Sequence, residues 1–152
     1  REVVQQLLAL LEERGLEVVL EDRLGELVED RSHRLASCDE IGQSVDLVIV
    51  VGGDGSLLSA ARTLAKYDTP VIGVNRGRLG FLTDIMPDEI ARQLPAVLDG
   101  KYEREHRFLL DARVHRNGKL VGQADALNDV VVNSGTSARI RSAIENSSAS
   151  VR

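Results

Sequence analysis

Leu47-Val48-Ile49-Val50-Val51-Gly52-Gly53-Asp54-Gly55 decides the reading of this chain. Five apolar residues in a row, four of them β-branched, predict a strand from Asp46 to Val51 with apolar residues on both faces. The strand ends on three glycines and one carboxylate. In an open α/β sheet, ligands bind at the carboxyl ends of the strands. Glycines let the backbone approach a polyanion with no Cβ in the way. An Asp at that point repels phosphate and suits instead a metal or the proton of a hydroxyl. Glycines for phosphate beside an acid for a nucleophile imply phosphoryl transfer to an alcohol. The plainer alternative is a tight strand-to-helix turn whose Asp caps the helix.

The flanking sequence supports an α/β unit. After Gly55, Ser56 is the expected cap of a helix whose stripe is Leu57, Leu58, Ala61, Leu64 and Ala65. Pro70-Val71-Ile72-Gly73-Val74 predicts the next strand. Strand, helix and strand in that order form a parallel crossover, which is nearly always right-handed. Upstream, Val4, Leu7, Leu8 and Leu11 recur at helical spacing before Gly15, and 16–20 predicts a strand. Residues 21–44 are polar and mixed, with a short helix expected near 24–28 and then a loop holding Cys38. Downstream, Pro87 opens a helix with Ile90, Leu94, Val97 and Leu98 inward and Gly100 at its end. Pro95 is expected to kink or split it.

Beyond Gly100 the pattern turns to β. Residues 108–114 alternate, Asn117-Gly118 is a two-residue hairpin turn, residues 120–122 return, and Ala126 to Val132 predicts one more strand. The expected organisation is therefore an α/β, Rossmann-like parallel sheet domain over 1–100, the beginning of a β-rich domain over 101–140, and a Ser-rich, unstructured tail over 141–152.

Composition narrows the class. The chain has 152 residues, 43% of them hydrophobic, enough for a core of Leu, Val, Ile and Ala with few aromatics. A net charge of −5 argues against nucleic acid as a partner. No apolar run approaches the ~20 residues of a membrane span. The first residues carry no secretory pattern, and the single cysteine, Cys38, cannot form an internal disulfide, so a reducing cytoplasm is expected. His33, His106 and His115 lie far apart among polar residues and read as surface histidines.

Familiar phosphate loops are absent. No Gly-x-x-x-x-Gly-Lys-Ser/Thr occurs, and Leu58 stands where a dinucleotide fingerprint needs Gly or Ala. No paired-Cys or His-Glu-x-x-His motif suggests a transition-metal site. Two further points are polar. Asn75-Arg76-Gly77-Arg78-Leu79-Gly80 follows the second strand, and its arginines either bind phosphate or are solvated. Asn128-Asp129 interrupts an apolar stretch; it either reads vicinal ribose hydroxyls or is a bulge or edge-strand device.

Taken together, 50–56, 71–84 and 126–131 closely resemble the bacterial NAD kinases in the order and spacing of three motifs, over roughly residues 3–140. Gly-Gly-Asp-Gly alone is shared with phosphofructokinases and diacylglycerol kinases; the Asn-Arg-Gly-x-Leu-Gly-Phe-Leu segment and the Asn-Asp pair narrow it. The resemblance implies ATP-dependent phosphorylation of the 2′-hydroxyl of the adenosine ribose of NAD. It maps the proton acceptor onto Asp54. It maps nucleotide contacts onto Gly52, Gly53, Asp54, Gly55, Asn75, Arg76, Asn128, Asp129 and Arg139. It further implies ATP with a divalent metal, usually magnesium, and a cytoplasmic homo-oligomer. The family's first strand and its later Thr-Pro-Thr-Gly-Ser-Thr-Ala-Tyr-like segment have no counterpart here, so little or no activity is expected of this polypeptide alone. A non-catalytic nucleotide-binding fragment and another kinase of the wider superfamily are the alternative readings.

Overall fold

The computed structural model describes residues 1–25, 28, 32–76, 80, 82–127, 129–131 and 147–151. Helix α1 (Glu2–Glu13) buries Leu7 and Leu8. It ends where Gly15 takes φ +68. There the Gly15 N–H bonds the Glu12 carbonyl and the Leu16 N–H bonds the Leu11 carbonyl, closing off two carbonyls the last turn leaves unpaired. Strand β1 (Val19–Glu21) pairs in parallel with β2 (Arg34–Ala36). Near the short helix expected over 24–28, a 3-10 turn spans Asp22–Leu24 and the Val28 N–H bonds the Leu24 carbonyl; residues 26 and 27 lie outside the described residues.

The expected loop around Cys38 is corrected. Helix α2 (Cys38–Ser44) starts there on a capping box: Ser37 and Glu40 each bond the other's backbone N–H. Ser-x-x-Glu was legible as a helix start, but the polar composition of 21–44 hid it.

Strand β3 (Val48–Gly52), helix α3 (Asp54–Leu64) and strand β4 (Val71–Asn75) form the parallel unit read from the sequence. The strand alternation places its two faces on different helices. Ile49 and Val51 of β3, with Ile72 and Val74 of β4, join α1 and helix α4 (Ile90–Leu98) in one core around Leu7, Ile85, Ile90 and Leu94. The opposite face meets α3, where Leu57 lies against Gly73. Helices on both faces of a parallel sheet make this an α/β fold.

The apolar content of β3 does not come from strands on both of its edges. Among the described residues it pairs only with β4. Its other edge faces β1 across a cavity of about 390 Å³ lined by Leu7, Leu11, Leu20, Leu47 and Ile49. Apolar residues on both faces of a strand reflect helices above and below, not strands beside it.

Helix α4 follows a 3-10 turn at Pro87–Glu89 and runs through Pro95 without splitting. Proline removes the bond to the carbonyl four residues back; that residue, Ala91, is exposed, so water can take the place of the lost donor. The α4 terminus repeats the α1 ending: Gly100 has φ +80, and the N–H groups of Gly100 and Lys101 bond the carbonyls of Val97 and Ala96. Arg14 and Asp99, 2.7 Å apart, tie the two helix ends together.

Strands β5 (Arg107–Arg116) and β6 (Lys119–Ala126) form the hairpin expected from Asn117-Gly118. Both turn residues have positive φ, 52 and 77, which matches the strands' twist. The strand expected over 126–132 is not formed across its described part: β6 runs continuously to Ala126 and stops, and Asp129, Val130 and Val131 are exposed outside any strand. The apolar triplet reads as a strand by composition, but it has no partner strand among the described residues. Within the tail, Ser147–Val151 forms β7, antiparallel to β5.

Candidate functional site

The chain leaves β3 at Gly52 and enters α3 at once. Gly53, extended at φ −103, is the helix N-cap, and its carbonyl accepts the N–H groups of Ser56 and Leu57. The cap is therefore Gly53 and not Ser56. The helix begins three residues earlier than expected because Asp54 and Gly55 already hold helical conformation. That places Asp54 at the first helical position, where the positive end of the helix dipole favours a carboxylate.

The three glycines differ in what surrounds them. A Cβ on Gly52 would collide with the Ser56 side chain, so packing of the turn requires glycine there. Gly53 and Gly55 have open space where a Cβ would stand, and neither lies in the left-handed region. Neither packing nor backbone conformation asks for glycine at 53 or 55. An approaching ligand would.

The second loop returns along the free edge of β4 and is fastened at its base. The Asn75 N–H donates to the Ile85 carbonyl at 2.8 Å. The Asn75 side-chain amide donates to Thr83 Oγ1 at 3.1 Å. The Gly73 N–H donates to the Asp84 carboxylate at 2.8 Å. Asn75 is only 2% exposed, so its amide secures the loop from inside. The tip of the loop reaches the first motif: the Leu82 N–H donates to Asp54 Oδ1 at 3.1 Å. The Asp54 carboxylate is thus partly buried and held between two loops.

Arg76 is exposed, and among the described residues no carboxylate pairs with it. It lines a cavity of about 770 Å³ together with Val50, Gly55, Ser56, Ser59 and Thr63. On the other side of α3, Gly55, Ser59 and Arg62 line a smaller cavity of about 270 Å³ with Leu127 and Asp129. Gly55 and Ser59 belong to both. Arg76 and Asp129 thus line two separate cavities that share Gly55 and Ser59. Asn128 and Arg139 lie outside the described residues, as do Gly77, Arg78, Leu79 and Phe81. Ser59 and Arg62 are site candidates the sequence reading missed. Their signal was available, since 55, 59 and 62 recur at the spacing of one helical face.

Among the described residues no group of three His, Cys, Asp or Glu could hold a metal ion. His33, expected at the surface, has its side chain only 10% exposed and sits 3.1 Å from Glu12 of α1. Cys38 lies at a helix start, but burial, with Glu21 and Asp39 nearby, raises its pKa above the ordinary 9.0. That is an unreactive thiol.

The family model described as the ATP-NAD kinase N-terminal domain matches residues 1–102. The chain is 52% identical over 139 residues to an NAD kinase of Chromohalobacter salexigens, covering 91% of this chain and 47% of that protein. The same figures hold for an NAD kinase of Pseudomonas fluorescens strain SBW25. The chain thus spans about half the length of the curated relatives it matches. Among solved structures, yeast NADH kinase complexed with NADH superposes with a TM-score of 0.67 at 18% identity, covering 82% of this chain and 42% of that one. At that identity the likeness speaks for the fold alone.

Proposed function

Because the chain belongs to the ATP-NAD kinase family, with that family's N-terminal domain over residues 1–102, we propose that it supplies the proton acceptor and one wall of the nucleotide site for converting NAD to NADP. The observation that carries this is the shared cavity wall: Gly55, next to Asp54, and Asp129, from the distant Asn-Asp motif, line the same cavity. Two motifs 74 residues apart in the sequence thus present groups to one space, where a single ligand could touch both.

In this reading Asp54 accepts the proton of the ribose 2′-hydroxyl as its oxygen attacks the γ-phosphorus of ATP. The new O–P bond forms, the bond from that phosphorus to the bridging β–γ oxygen breaks, and ADP leaves. A well-placed base supplies about 10²–10⁴ in rate. Positioning supplies much of the remainder. Gly53 and Gly55 let phosphate or ribose come against the backbone. Arg76, exposed beside them, is suited to phosphate. Asp129, with Asn128, accepts from ribose hydroxyls. Asn75 acts from below by securing the loop that carries Arg76. By resemblance, Arg139 also lines the site. Magnesium enters as part of the ATP substrate; the described residues offer no metal cluster of their own.

The same reading places the protein in the cytoplasm as a homo-oligomer. No helix among the described residues is long and apolar enough to cross a membrane. Calorimetry of NAD binding to this chain tests the reading, with fructose 6-phosphate and diacylglycerol as competitors. Asp54→Asn in a chain completed to the length of its relatives should abolish NADP formation while leaving the fold intact. Turnover that survives this change removes Asp54 as the base.

A further inference from the structure

We propose that Gly80 is a positioning residue for Asp54: the backbone of the second loop clasps the carboxylate and sets the direction it faces. The proposal rests on the reading of Asp54 as the proton acceptor. Three observations carry it. First, the three atoms nearest a Cβ built on Gly80 all belong to the Asp54 carboxylate: Oδ1, Cγ at 2.7 Å and Oδ2 at 2.9 Å. Gly80 is not in the left-handed region, so backbone conformation does not demand glycine there. Close approach to the carboxylate is the remaining reason.

Second, two residues on, the Leu82 N–H donates to Oδ1 of the same carboxylate. The loop thus offers a surface without a side chain at 80 and a donor at 82. Third, the loop is fastened at its base. Its base is bonded to β4 through Asn75–Ile85, Asn75–Thr83 and Gly73–Asp84. Gly73 itself sits so close that a Cβ there would lie 3.0 Å from the Thr83 Cα. A methyl at 80 must therefore displace the carboxylate, and one proton-accepting oxygen swings out of register with the ribose.

A double-mutant cycle tests the clasp without reference to chemistry. In this chain, Gly80→Ala should lower the denaturant midpoint, and most of that loss should vanish when Asp54 is already Ala. Equal losses in both backgrounds, or failure of both to fold, overturn the clasp. If Gly80→Ala alone fails to fold and the double variant folds, the clasp stands. Kinetics in a chain completed to the length of its relatives test the positioning role. Gly80→Ala should reduce kcat by about tenfold or more with KM for NAD within about threefold, since a displaced base is missed in the transition state and not in binding. An unchanged kcat in Gly80→Ala, alongside loss of turnover in Asp54→Asn, overturns positioning while sparing the base. Survival of turnover in Asp54→Asn overturns the base reading instead, and leaves the stability cycle to judge the clasp.

Discussion

Gly55→Ala separates a glycine kept for a ligand from a glycine kept for the fold. Gly55 is the second residue of α3, and a Cβ there meets nothing within 4 Å. Alanine in a helix is favoured over glycine by roughly 0.5–1 kcal/mol. In the first turn the lower end of that range applies. For a chain of this size, about 0.5 kcal/mol raises Tm by about 1–2 °C. Gly55 also lines two cavities, one with Arg76 and the other with Asp129. If ribose or phosphate packs against this backbone, an added methyl costs roughly 1–3 kcal/mol of overpacking. That corresponds to about a 5- to 150-fold loss of kcat/KM for NAD. The assay pairs a thermal melt of this chain with NADP formation by a chain completed to the relatives' length. Stability should rise while turnover falls. A variant that is less stable, or one that turns over NAD at the original rate, refutes the claim that the space above Gly55 belongs to a ligand.

Other changes test the frame around the site. Gly52→Ala should destabilise by roughly 1–3 kcal/mol, because its methyl would meet Ser56, and Ser56→Gly should restore most of the lost denaturant midpoint. Ser37→Ala should cost about 1 kcal/mol by removing the capping box of α2, read as a lowered midpoint. Acid should weaken the fold through three surface carboxylates. Lys66 holds Asp39, the Ser37 hydroxyl holds Glu40, and Arg14 holds Asp99 below their ordinary values of 3.8, 4.5 and 3.8. A depressed folded pKa stabilises above the ordinary value and loses that effect as the pH falls through the folded one. Tm should therefore decline below about pH 4.5, less steeply in Asp99→Asn and at high salt, since exposed pairs are screened. Cys38, its pKa raised by burial, should react with iodoacetamide at pH 7 more slowly than free glutathione.

How far the sequence reached depended on whether a signal was local. The β3–α3–β4 unit was legible because each part carries its own mark: the run at 47–51, the stripe of Leu57, Ala61 and Leu64, and the strand after Pro70. Gly15 and Gly100 marked helix ends for the same reason, since each supplies the positive φ its terminus uses. The hairpin at Asn117-Gly118 was likewise local. What stayed hidden was short or contextual. Strand β2 has three residues and two of them are exposed, so its composition resembles a loop. Val130 and Val131 look like a strand by propensity, but propensity cannot supply a partner strand.

The candidate residues could be picked out from the sequence, but their surroundings could not. Gly52, Gly53, Gly55 and Gly80 look alike in the sequence, yet the structure sorts them. Gly52 makes room for Ser56, Gly80 makes room for Asp54, and a Cβ on Gly53 or Gly55 meets nothing within 4 Å among the described residues. Asn75 and Arg76 are sorted in the same way: the first is buried in the base of a loop, the second is exposed on a cavity wall. A motif match assigns five of these six, all but Gly80, to one nucleotide. Physical surroundings divide them into residues that build the turn, a residue that aims the acid, residues that fasten the loop, and residues that leave space. Only the last group, with Arg76, has no structural task that competes with binding. Substitutions there should move affinity and rate without moving stability, whereas substitutions at Gly52 and Asn75 should move stability first and activity only as a consequence.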